Sequence, residues 1–136
     1  MQACRTLESA KALAEGLPNT SALSLDVANT AALEAEVAAN DLVISLIPYT
    51  HHAAVIKAAI KGQTHVVTTS YVSPSMAELD AAARKAGIVV MNEIGLDPGI
   101  DHLYAVKTID EVHVKGGKVG TDFQYSDRGL TAPPLD

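Results

Sequence analysis

The sequence predicts an α/β fold with a mostly parallel, doubly wound sheet, on three observations. Short β-branched apolar runs recur as "DLVISLI" (41–47), "THVVTT" (64–69) and "GIVVMN" (87–92). Such runs, lacking polar alternation, suit strands buried on both faces. Ala-rich stretches of helical length lie between them, and strands alternating with helices read as βαβ units. Helix start and stop residues also fall where that alternation needs them.

The elements follow in order. "QACRT" reads as the end of a strand, and "LESAKALAEG" as a helix stopped at Gly16, a left-handed C-cap. "ALSLDV" (22–27) is a more alternating strand, and "TAALEAEVAAN" a helix with Leu33 and Val37 on one face. After strand 41–47, "HHAAVIKAAIKG" is a helix stopping at Gly62. After strand 64–69, "SPSMAELDAAARKAG" is expected as one helix, with Ser73 as N-cap, Pro74 at the first helical position and Gly87 at its end. Strand 87–92 leads to a helix over about 99–114, then to a β-like "KVGTDFQY" and a loose tail, "DRGLTAPPLD".

Composition narrows the function. The 136 residues suit one ordinary domain, and 48% apolar with 19% charged residues is globular. A net charge of −6 offers no basic surface for a nucleic acid. Cys4 is the single cysteine, so no internal disulfide or cysteine-built metal site is expected. No apolar stretch approaches the ~18 residues of a membrane span, and "MQACRTLESA" lacks an apolar leader core. The expected location is cytoplasmic.

Ligands of doubly wound sheets sit beyond the carboxyl ends of the strands. There the sequence places Asp26–Val27, Pro48–His51, Ser70–Ser73 and the acidic "NEIGLDPGIDH" (92–102). No G-x-G-x-x-G follows a strand; Gly116, Gly117 and Gly120 have the wrong spacing. Arg5, in "QACRT" at the end of a second strand, suits a 2′-phosphate because its planar fork binds two oxygens; a solvated arginine is the plainer reading. Asp97 before Pro98 reads as a helix N-cap, with Asp101 complementing the helix dipole, or as a functional carboxylate. Glu93 reads as a loop carboxylate. His51 and His52 are adjacent and form no metal pair; His51 reads as polarity at a helix start. Tyr71 is either packed or a high-pKa hydrogen-bond donor. Ser45 and Ser70 carry no Ser–His–Asp pattern.

Taken together, "ACRTLESAKAL", "SLDV", "DLVISLIPYTHH", "HVVTTSYVSPSMAELD" and "VMNEIGLDPGIDHLYAVKTIDEVH" closely resemble the saccharopine reductases, the NADP-dependent, L-glutamate-forming saccharopine dehydrogenases of fungal lysine biosynthesis. The resemblance runs from about residue 3 to residue 119. It implies a partial Rossmann-type domain over 1–114 and the start of a substrate domain over 115–136. It also implies an NADPH-dependent reduction of the imine that 2-aminoadipate 6-semialdehyde forms with L-glutamate, giving saccharopine.

By motif, the resemblance implies that Arg5 and Thr6 face the 2′-phosphate, and that Asp26 and Val27 flank the adenine. Ile47, Pro48 and Tyr49 would line the cofactor groove, with Ser70 and Tyr71 near the nicotinamide. Asp97, Pro98 and Gly99 would border the substrate, and Asp97 and Tyr71 would be catalytic. Homo-oligomers are left open. Against the family pattern, the first strand, glycine loop and first helix are not in this sequence; Ser126 stands where a cysteine is usual, and a GGLPAPE segment is replaced. These departures lead to the expectation of a truncated form, inactive as written, with "ALSLDV" and "DLVISLI" left with unpaired edges. Residues 1–30 should then close on strand 41–47 or be poorly fixed. The alternatives are a non-catalytic nucleotide-binding or interaction remnant, and a related imine-reducing dehydrogenase of polyamine metabolism.

Overall fold

The computed structural model describes residues 1–120. The tail, Ser126 and most of "KVGTDFQY" lie outside the described residues.

The chain runs β1 (Gln2–Cys4), α1 (Leu7–Ala14), β2 (Ala22–Ser24), α2 (Thr30–Ala38), β3 (Leu42–Ser45), a 3-10 turn (Tyr49–His51) and α3 (His52–Gly62). It continues with β4 (His65–Thr68), α4 (Pro74–Ala77), α5 (Asp80–Ala86), β5 (Val90–Met91) and α6 (Ile100–Val114). All pairing between these strands is parallel, as the βαβ pattern requires. It falls into two sheets, β1-β2 and β3-β4-β5.

The three β-branched runs therefore pair with one another as expected. The first 30 residues do not close on strand 41–47. β1 and β2 pair with each other, not with β3, and α1 packs on both. Leu25 and Val27, just past β2, reach the main core, and α2 buries Leu33 and Val37 in it.

Strand register explains which face is buried. Val43, Val66 and Val90 lie side by side and contribute to a core completed by Val55, Ile56, Ala59, Met76, Ala83 and Ile88. Side chains alternate across a sheet, so Ile44, Val67 and Met91 form the opposite row. Helices were expected on both faces. Among the described residues this second face is bare: Ile44 is 63% exposed, Leu46 72% and Met91 49%.

One helix differs from expectation, and one glycine has a role the sequence does not show. Residues 73–87 form two helices, because the backbone tightens at Leu79, whose N–H reaches Met76 O at 3.0 Å, while Glu78 N–H still bonds Pro74 O at 3.1 Å. No glycine or proline marks that break in the sequence. Helix α3 does run to Gly62, but the left-handed residue is Gln63, with φ 56°. Gly62 serves packing instead: a Cβ there would lie 2.8 Å from Ala38 Cα. The crossing of α2 over α3 needs a residue without a side chain at that point.

Candidate functional site

The loop from β5 to α6 is built by glycine geometry. Gly95 N–H donates to Pro98 O at 3.0 Å, Ile100 N–H returns to Gly95 O at 2.9 Å, and Gly99 sits at φ 143°. A Cβ on Gly99 would fall 2.3 Å from Gly95 O, so only glycine closes this turn. Because Gly99 is not helical, α6 cannot start before Ile100, and Pro98 is not its first residue. The reading of Asp97 as N-cap is thereby corrected. The carboxylate near the helix start is that of Asp101, which accepts from Gly99 N–H at 2.8 Å. It also meets His102 Nδ1 at 3.0 Å, and that hydrogen bond raises the His102 pKa.

Freed from capping, Asp97 is exposed and accepts the Tyr71 hydroxyl at 2.7 Å, joining the loop after β5 to the loop after β4. This bond is the main reason the Tyr71 phenol is held above the ordinary tyrosine range; partial desolvation and the charges of Asp97, Asp101 and Glu93 add to it. Glu93, in the left-handed region at φ 64°, ties the same loops twice. Its N–H donates to Ser70 O at 3.1 Å, and its carboxylate accepts from Val72 N–H at 3.4 Å. Thr68, at the end of β4, donates its hydroxyl to Asn92 at 3.2 Å.

Beneath this rim lies a buried polar line that the sequence did not disclose. His52, at the first turn of α3, is fully buried. Its Nδ1 meets Ser45 Oγ at 2.9 Å and its Nε2 meets Ser70 Oγ at 2.9 Å. Burial, then repulsion from His51, lowers its pKa and keeps it neutral. Ser45 thus does have a histidine partner, though among the described residues no carboxylate completes a triad, so nucleophilic serine chemistry gains nothing.

The other expected residues take their places at strand ends. Arg5 follows β1 with its side chain exposed, and its carbonyl accepts the Ser24 hydroxyl at 3.0 Å, fixing it against β2. Thr6 caps α1, its Oγ1 accepting from Ser9 N–H at 3.3 Å. Asp26 folds the turn before α2 by accepting Ala28 N–H at 2.9 Å, and Val27 packs on the core. Ile47 also packs on the core, while Pro48 and Tyr49 are exposed where β3 gives way to the 3-10 turn. Pro98 is buried and Gly99 half-buried. The structure bonds Tyr71 to Asp97, and Ser70, next to Tyr71 in the chain, is held by His52 and by Glu93 N–H. Among the described residues, no hydrogen bond joins Arg5 or Thr6 to that group.

Parallel βαβ units with polar groups gathered just past their strands define an α/β domain of the Rossmann-like class. The chain belongs to the family described as the saccharopine dehydrogenase NADP binding domain, whose model matches residues 1–91. It is 68% identical over 131 residues to the saccharopine dehydrogenase [NADP(+), L-glutamate-forming] of Pyricularia oryzae and 60% identical to that of Saccharomyces cerevisiae. In each case the match covers 96% of this chain and 29% of the relative, so the chain spans under a third of their length. The solved structure of the apo, histidine-tagged Saccharomyces cerevisiae saccharopine dehydrogenase (L-Glu forming) superposes with a TM-score of 0.73 and 63% identity. That match covers 84% of this chain and 25% of the other.

Proposed function

We propose that this chain is the nucleotide-binding part of an NADPH-dependent enzyme that joins 2-aminoadipate 6-semialdehyde to L-glutamate and reduces the imine to saccharopine. The observation that carries the reading is the Tyr71–Asp97 pair on the Ser70 rim, at the carboxyl ends of β4 and β5, in a chain of this family. The family membership and relatives favour this reading over an imine of polyamine metabolism.

The residues present suit NADP in chemistry. Arg5 is an exposed guanidinium beyond β1 with no acid beside it in sequence, and it would hold the 2′-phosphate, with Thr6 adjacent. Asp26 and Val27 would flank the adenine, and Ile47, Pro48 and Tyr49 would line the groove. When bound, NADPH supplies the hydride. The chain's own groups manage charge and protons. Asp97 balances the positive charge on a protonated imine nitrogen at the substrate edge. Tyr71, held protonated by Asp97, is a hydroxyl donor that stays intact at neutral pH and can orient or protonate a substrate nitrogen. Pro98 and Gly99 shape that edge, where a residue without a side chain allows backbone to approach the substrate.

Cofactor preference tests this directly. The chain should bind NADPH more tightly than NADH, and Arg5→Ala should weaken NADPH by about ten- to a hundredfold, the range for a charge-assisted phosphate contact of roughly 1.5–3 kcal/mol. Equal weakening of both cofactors would remove Arg5 from the phosphate.

A further inference from the structure

The buried Ser45–His52–Ser70 line crosses three elements: the last residue of β3, the first turn of α3 and the loop after β4. Ser70 immediately precedes Tyr71, so what fixes Ser70 also fixes the rim on which the proposed function rests.

A neutral imidazole donates from one nitrogen and accepts at the other, so its tautomer sets the direction of both bonds. Ser45 decides which. It is buried at 4% exposure, and among the described residues its hydroxyl has one partner, His52 Nδ1. If Nδ1 carried the proton, the Ser45 hydrogen would be stranded in the core without an acceptor. A stranded buried donor costs more than an unused lone pair. Ser45 therefore donates to Nδ1, and the proton sits on Nε2, which donates to Ser70 Oγ. Ser70, half-buried, then accepts from below, and its own hydrogen is free to point elsewhere.

We infer that His52 is a positioning residue that holds Ser70 as a hydrogen-bond donor toward the carboxamide oxygen of a bound nicotinamide. The inference rests on the proposed NADPH site for its ligand, but the direction of the hydrogen bonds rests on the buried line alone. Ser70 reads an oxygen acceptor here, and Tyr71 beside it remains engaged with Asp97. His52 touches neither ligand nor substrate; it acts through Ser70.

Two measurements on the full chain test this separately. Imidazole nitrogen NMR on the histidine-labelled wild type, without cofactor, should show His52 in the Nε2–H tautomer. An Nδ1–H tautomer overturns the inference whatever the cofactor result. The second measurement compares NADPH with thio-NADPH, whose carboxamide oxygen is replaced by sulfur, a weaker acceptor. The wild type should prefer NADPH by about fivefold, the worth of one neutral hydrogen bond. Ser70→Ala and His52→Leu should each abolish that preference, and the double variant should lose nothing more. His52→Gln, whose amide oxygen accepts while its nitrogen donates, should keep it. A preference that survives Ser70→Ala overturns the role given to Ser70. Absence of NADPH binding in the wild type counts against the proposed cofactor site and leaves the tautomer measurement to stand.

Discussion

Exchanging the roles of two neighbouring residues gives the sharpest stability prediction. In sequence Gly62 reads simply as the glycine at which α3 stops. The structure instead puts Gly62 inside the helix at the α2 crossing and gives the left-handed turn to Gln63. In Gly62→Ala the new methyl would stand 2.8 Å from Ala38 Cα and 2.9 Å from Ala38 Cβ, where ordinary contact begins near 3.4 Å. Backbone cannot step aside cheaply, so α2 and α3 must separate by over half an ångström where Leu33 and Val37 pack. Overpacking of this kind costs about 1–3 kcal/mol, and the better helix propensity of alanine returns about 1 kcal/mol. The net loss is roughly 1 kcal/mol. Gln63→Gly should move the other way, gaining up to about 1 kcal/mol by relieving the left-handed strain. Urea unfolding followed by circular dichroism measures both, each as a change in midpoint at constant slope. A stabilising Gly62→Ala would refute the packing argument.

Other consequences can be checked alongside it. Asp97→Asn removes the charge that Tyr71 faces, so ultraviolet titration should show the phenol ionising at lower pH than in the wild type; an unchanged titration would break the pair. The depressed His52 pKa has a signed effect on stability: the neutral form is fully favoured above the ordinary histidine value near 6.5, and stability is lost as pH falls toward the lower folded value. Midpoints measured down that window should fall in the wild type and flatten in His52→Gln; parallel slopes would assign the loss to other groups. The bare face of β3–β5 should bind the dye ANS, and Ile44→Lys should reduce that binding without lowering the unfolding midpoint; an unchanged dye signal would show that the face is covered.

What the sequence discloses is what depends on near neighbours. β4 sits wholly inside its β-branched run, and the Val43–Val66–Val90 row follows from period two once the strands pair. Thr6, Asn29 and Gly87 end their helices through contacts with residues a few positions away, which local patterns encode. The cap reading of Asp97 fails because it rests on near neighbours alone: Asp-Pro before a helix is a strong local cap signal, but Gly99 turns the chain before the helix begins. Nothing local in "SPSMAELDAAARKAG" announces the break at Leu79. The site depends on distant pairs. Tyr71 and Asp97 are 26 residues apart, and His52 and Ser70 are 18 apart. Their partnership is legible only once three parallel strands bring their carboxyl ends together. The "TSY" and "GLDPG" motifs pointed to Tyr71 and Asp97 through resemblance, but no motif reading pointed to His52. A histidine opening a helix seven residues after a strand serine is the one signal that was available.

The central claim, that these residues supply the Tyr71–Asp97 rim of a saccharopine-forming reductase, is tested most directly by transplantation. This chain would replace its matching segment in the Saccharomyces cerevisiae relative, to which 131 of its residues align at 60% identity. With 2-aminoadipate 6-semialdehyde and NADPH, the chimera should form saccharopine only when L-glutamate is present, and Asp97→Asn should lower turnover by about a hundredfold or more. A folded chimera that binds NADPH but forms no saccharopine, or one whose turnover ignores Asp97→Asn, would contradict the account.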